Sequence, residues 1–156
     1  MNIPGTPPPP APPIQILYAD DDSALRRLVQ RVLTEAGYAV DTCENGAEAW
    51  NCLSSQHYDL LVTDNQMPEL TGLELIYQLR QAGNRMPVIL VSGAIGTFAG
   101  AALESLRCDA ELGKPFSSPQ LVALVRRVLE SVQERWPEAI PRGANHMAPS
   151  HWGINE

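Results

Sequence analysis

Short apolar runs alternate with longer amphipathic stretches along most of the chain. Residues 14–18 read as a buried strand, and Leu25, Leu28, Val29, Val32 and Leu33 follow at helical spacing, with Asp22 or Ser23 as N-cap and Gly37 as terminator. Residues 38–42 give a second strand; Asn45-Gly46 breaks it, and Ala47, Trp50 and Leu53 mark a short helix. A third strand spans 59–63, after which Leu73, Leu75, Ile76 and Leu79 line a helix that stops near Gly83. Pro87 introduces a fourth strand, 88–91, that ends on Ser92-Gly93. The helix predicted next, over 97–106, is flanked or interrupted by Gly96 and Gly100 and is the weakest of the set. Residues 110–112 make a brief fifth strand ending on Gly113-Lys114-Pro115-Phe116. Ser118-Pro119 then opens a helix whose apolar face is Leu121, Leu124, Val125, Val128 and Val132.

Five strands alternating with five helices, each connection too long for a hairpin, predict parallel strands joined by crossovers. The fold class expected is a doubly wound, three-layer α/β domain over residues 14–133. Residues 1–13 hold seven of the fourteen prolines and read as a disordered leader, a semi-rigid polyproline tether. Residues 134–156 carry Trp136 and Trp152 among Pro137, Pro141 and Pro149 without periodicity, and read as a disordered or loosely packed tail too short for an effector domain.

At 156 residues the chain has room for one core of ordinary size. No apolar run is long enough to span a bilayer, and no cation precedes Arg26 to form a signal-peptide n-region, so a cytoplasmic location is expected. Cys43, Cys52 and Cys108 are odd in number and lack Cys-x-x-Cys spacing; they read as small hydrophobes rather than a disulfide framework or zinc site. A net charge of −7 and a pI near 4.9 argue against a nucleic-acid footprint.

Parallel strands bring their carboxyl ends to one edge of the sheet, where open α/β folds collect ligands. The first strand delivers Asp20, Asp21 and Asp22, the third Asp64, the fourth Ser92 and the fifth Lys114, the chain's sole lysine. Each alone is explained by a turn or a helix cap. Together they call for chemistry, because crowded carboxylates cannot all stay ionised without a counter-cation. Oxygen-only donors indicate a hard ion, and carboxylates plus waters are how Mg²⁺ is held. Mg²⁺, a lysine and a hydroxyl are also the set that neutralises phosphoryl oxygens in transfer. Asp64, standing alone at the end of its strand, is the candidate nucleophile for an aspartyl phosphate.

The segments Ile-Leu-Tyr-Ala-Asp20-Asp21-Asp22, Val-Thr-Asp64-Asn-Gln-Met67-Pro68 with Gly72, Val-Ser92-Gly93-Ala94 and Lys114-Pro115-Phe116 resemble the response-regulator receiver domains of two-component and phosphorelay signalling. The resemblance implies a flavodoxin-like (βα)5 sandwich with strand order 2-1-3-4-5. It implies Asp64 as phosphoacceptor, Asp21, Asp64 and the backbone carbonyl of Gln66 as direct Mg²⁺ ligands, and Asp20 as a ligand through water. It further implies that Ser92 and Lys114 contact the phosphoryl group, while Asp22 caps the first helix. Glu111 stands three residues before Lys114, where many receivers carry a Tyr or Phe that turns inward on activation. Gly93 leaves the phosphate site open to solvent.

The partner implied is a sensor histidine kinase or a histidine phosphotransfer protein, met by a monomer or weak dimer that neither binds nucleic acid nor inserts in a membrane. The domain then acts as a single-domain regulator or as the carboxyl-terminal receiver of a hybrid kinase, and not as an enzyme. The alternative from another class is a metal-dependent aspartyl-phosphate phosphatase or phosphotransferase. Enzymes of the haloacid-dehalogenase pattern place an acid–base Asp two residues after the nucleophile, a position occupied here by Gln66, which cannot transfer protons.

Overall fold

The computed structural model describes residues 5–7, 9–93 and 100–138. The leader residues among them are exposed and without regular structure, while the remaining leader positions, Gly96 and 139–156 lie outside the described residues. The elements alternate without exception: β1 (Gln15–Ala19), α1 (Ser23–Glu35), β2 (Ala39–Cys43), α2 (Gly46–Ser55), β3 (Leu60–Asp64), α3 (Gly72–Gln81), β4 (Val88–Ser92), α4 (Gly100–Ser105), β5 (Ala110–Gly113) and α5 (Ser118–Arg135). All strand pairs are parallel, in the order β2-β1-β3-β4-β5.

The sequence explains this order. β3 and β4 are buried along their whole length and β1 nearly so, as befits near-continuous apolar runs covered on both faces. β2 and β5, half-buried, form the edges. α1 packs beside α5 and α2 beside α3. α5 supplies Leu121, Leu124, Val125, Val128, Leu129 and Val132 to the core, each worth roughly 1.5–3 kcal/mol of transfer free energy.

Leu28 departs from the expected face of α1: it is 40% exposed. It stands one residue before buried Val29, and so roughly 100° around the helix from the core-facing line. The last helix runs on through Glu134 and Arg135, both good helix formers, until Trp136 caps it and Pro137 prevents continuation. Cys43 is buried, and burial pushes its thiol up to about 12, so it behaves as an inert small hydrophobe.

Helix starts are fixed locally. Asp22 accepts from the amides of Ala24 and Leu25, whereas Thr71 with Glu74 and Ser117 with Gln120 form reciprocal capping boxes. Gly37 and Gly83 adopt positive φ just after α1 and α3, the backbone conformation a terminating glycine permits.

Candidate functional site

β3 ends on Asp64 rather than one residue earlier. The ladder continues through it: Asp64 is in register with Val91, and the Asn65 amide donates to the Val91 carbonyl at 2.9 Å. β4 likewise ends on Ser92, in register with Gly113, while the Lys114 amide donates to the Ser92 carbonyl at 2.9 Å. The carboxylate and the hydroxyl are therefore strand residues, held by the sheet itself. Beyond Asp64 the chain folds straight back, with the Gly72 amide on the Asn65 carbonyl at 3.0 Å and the Leu73 amide on Asn65 Oδ1 at 3.1 Å. Only glycine fits at 72, since a Cβ there would collide with the Asp64 carbonyl oxygen.

At this edge Asp20, Asp21 and Asp64 each present a carboxylate oxygen within 4.8 Å of the others. Asp20 is fully buried and Asp64 is 4% exposed, whereas Asp21 faces solvent. Lys114 Nζ lies 2.9 Å from Asp20 Oδ2 and 3.3 Å from Asp64 Oδ2. Burial works against the Lys114 ammonium, but the Asp20 hydrogen bond and the charges of Asp20 and Asp64 outweigh it, raising its pKa. Burial, and then the charge of Asp20, raise the pKa of Asp64 despite Lys114. Three carboxylates beside one ammonium leave negative charge unanswered, and the donors are all hard oxygens. The set fits a divalent hard cation.

Asp20 carries more contacts than its sequence neighbours reveal. Its Oδ1 accepts the Asp22 amide at 2.9 Å, and its Oδ2 accepts the hydroxyl of the wholly buried Tyr18 at 2.7 Å. Arg26 Nη1 donates to the Asp20 backbone carbonyl at 2.7 Å. The signal for Tyr18 is the strand period: two residues before Asp20, it shares the same face of β1. Tyr18→Phe is expected to lose about 1.5–3 kcal/mol, the scale of a hydrogen bond to a charged group, in metal-free chemical denaturation. An unchanged midpoint would show that Tyr18 does not hold Asp20.

The Gln66 side chain is exposed to solvent. Gly93 is exposed, and a Cβ there would meet no heavy atom of the described residues within 4 Å. Glu111, on β5, is in register with Leu90 of β4, and its Oε1 is buried without a hydrogen-bond partner among the described residues.

Residues 16–126 match the profile of the family described as "Response regulator receiver domain". The chain belongs to this family. Response regulator MprA of Mycolicibacterium vanbaalenii is 35% identical to the receiver domain over 117 residues, covering 75% of this chain and 51% of that protein. MprA of Mycobacterium ulcerans is 34% identical over 126 residues, covering 81% and 54%. The receiver domain thus spans about half the length of the curated relatives it matches. Among solved structures it is similar to the Francisella response regulator 1452 receiver domain, with a TM-score of 0.72 and 29% identity over 78% of this chain and 99% of that one. It is also similar to response regulator TrrA of Thermotoga maritima, solved in complex with Mg²⁺-BeF, with a TM-score of 0.67 and 30% identity over 74% and 98%. The receiver domain is a two-component signalling module with the five-stranded order seen here. No described helix is long and apolar enough to cross a membrane.

Proposed function

We propose that Asp64 accepts a phosphoryl group from a phosphohistidine on a sensor kinase or histidine phosphotransfer protein. The observation that carries this is the gathering of the Asp20, Asp21 and Asp64 carboxylates beside Lys114 at the strand ends. Asp21, Asp64 and the Gln66 carbonyl would hold Mg²⁺, with Asp20 acting through water. When bound, the ion neutralises charge on the phosphoryl oxygens.

The protein groups divide the remaining work. An Asp64 carboxylate oxygen bonds to phosphorus as the P–N bond of the donor breaks, its electron pair staying on the imidazole. Lys114 already bridges Asp20 and Asp64, so its ammonium is poised to move onto a phosphoryl oxygen. Ser92, at the end of the strand paired with β3, is read as the hydroxyl donor to the same group. TrrA, 30% identical, carries Mg²⁺ and BeF in its structure, which supports the same ligands here.

The functional unit is read as residues 14–135, the last turn of α5 extending it past 133. It acts in the cytoplasm as a phospho-acceptor rather than an enzyme. Gln66, where a phosphatase of the haloacid-dehalogenase pattern needs its second Asp, supports that choice.

Incubation with acetyl phosphate and Mg²⁺, followed by borohydride reduction and peptide mapping, is expected to place the label on residue 64, and EDTA to prevent it. Labelling at another residue, or labelling that survives chelation, would overturn this assignment.

A further inference from the structure

The opposite end of the sheet, where β4 and β5 begin, has no part in phosphoryl chemistry. A cavity of about 490 Å³ opens there, lined among others by Arg85, Arg107, Asp109, Arg127, Arg135 and Trp136. The length of β4, about 13 Å, separates it from Ser92. In a chain of net charge −7, four arginines on one cavity run against the overall field.

These side chains stand on a braced frame. Arg80 donates from Nε to the Leu106 carbonyl at 2.8 Å, from Nη2 to that of Arg107 at 2.9 Å, and from Nη1 to those of Asn84 and Met86 at 3.0 and 2.9 Å. It thereby ties the turn that carries Arg85 to the turn that carries Arg107. Arg127 and Arg135 lie on one face of α5, two helical repeats of i, i+4 apart, with Ser131 between them. Asp109, the single acid among the described lining residues, is already engaged: Oδ2 accepts the Val88 amide at 2.9 Å and Oδ1 accepts Arg135 at 3.0 Å. Among the described residues no carboxylate answers the guanidinium of Arg85, Arg107 or Arg127. Trp136, 49% exposed, adds a flat apolar wall, with the Arg135 guanidinium 5.0 Å from its ring centre.

We propose that this cavity is a second ligand site, which binds a small molecule bearing a polyphosphate chain. Guanidinium groups stay charged at any physiological pH and offer paired donors that match phosphate oxygens. The volume falls in the range of small-ligand pockets, about 300–1,000 Å³. The arginines line a cavity rather than an extended strip, which favours a compact polyanion over an acidic protein segment. Two sources share this chemistry: a bare polyphosphate, and a nucleotide whose base rests on Trp136.

The proposal is independent of the role of Asp64, and metal-free buffer keeps the two apart, since the Asp20–Asp21–Asp64 cluster then repels anions. Calorimetric titration of the full chain in EDTA at low ionic strength is expected to show tripolyphosphate and ATP each binding at one site. Affinity should fall at least tenfold in the double variant R107S/R127S and stay unchanged in R27S/R31S, a charge-matched control on the exposed side of α1. The thermal midpoints of both variants should match the parent. A stronger response to ATP that is lost in W136A marks the nucleotide as the source; equal responses mark the polyphosphate chain. The proposal is overturned by absence of saturable binding, by affinity that survives R107S/R127S, by an equal loss in R27S/R31S, or by tighter binding of a hexaglutamate peptide.

Discussion

Asp64→Asn is expected to abolish phosphoryl uptake and, in metal-free buffer, to make the protein more stable. The first effect follows from removal of the carboxylate oxygen that would bond to phosphorus, for which no amide substitutes. The second follows from the site's electrostatics. Burial, and after it the charge of Asp20, raise the folded-state pKa of Asp64. A carboxyl raised in this way favours folding fully below its unfolded pKa, and that contribution is lost as pH rises through the folded value. At neutral pH the ionised group therefore strains the fold. Relief of one like-charge contact at a partly solvated edge is worth on the order of 1 kcal/mol, or about 4 °C in thermal midpoint. The gap between variant and parent should close as pH falls below the ordinary carboxyl range, and narrow when Mg²⁺ is added. Thermal melts across pH 3–8 with a parallel acetyl-phosphate assay would read both effects. A variant that takes up label, or melts below the parent at neutral pH, contradicts this account of the site.

Lys114→Met is expected to damage both function and fold. It keeps most of the aliphatic stem and removes the ammonium, which is 2.9 Å from the fully buried Asp20. Breaking a buried pair leaves a charge without its partner, a loss of about 3–5 kcal/mol in closed interiors. Here the Lys114 side chain is 25% exposed, and Asp20 keeps the Tyr18 hydroxyl and the Asp22 amide, so about 2 kcal/mol is expected. Adding Asp20→Asn should recover most of that loss, because the orphaned charge disappears with it; a double-mutant cycle by chemical denaturation measures the coupling. Phosphoryl transfer should fall by about 10²–10³-fold, the usual cost of one lost donor to developing charge. If the two substitutions prove additive, the Lys114–Asp20 contact carries no stability of its own.

The convergence of Asp20, Asp21, Asp64 and Lys114 on one sheet edge was legible from the sequence for a single physical reason. In a parallel sheet every strand leaves its last residue on the same edge, so apolar runs that end on polar groups announce a shared site. The apolar character of β1, β3 and β4 likewise reveals which strands lie inside. Strand ends were legible only to within one residue, because an Asp or Ser ending a ladder is stabilised by its partner strand, as Asp64 is by β4. Tyr18 illustrates what sequence half hides: the strand period sets it on the same side as Asp20, but its ring reads as core, and tertiary geometry is needed to show its hydroxyl bound to Asp20. Arg80 is the same case in reverse, a charged residue that burial turns into a clamp for four carbonyl groups contributed by two turns. Leu28 shows the limit of helical spacing, since one residue's rotation separates a core position from a wet one.

An open sheet has two borders, and each could recruit a strand from another molecule. β2, one such border, carries Asp41 near its centre, exposed to solvent and fixed by the Tyr58 hydroxyl at 2.7 Å. β5, the other, is only four residues long and bears Glu111. A solvent-facing carboxylate on one rim and the shortness of the other disfavour edge-to-edge stacking of copies, so the fold carries its own guard against fibrous aggregation while its chemistry is confined to the strand tips.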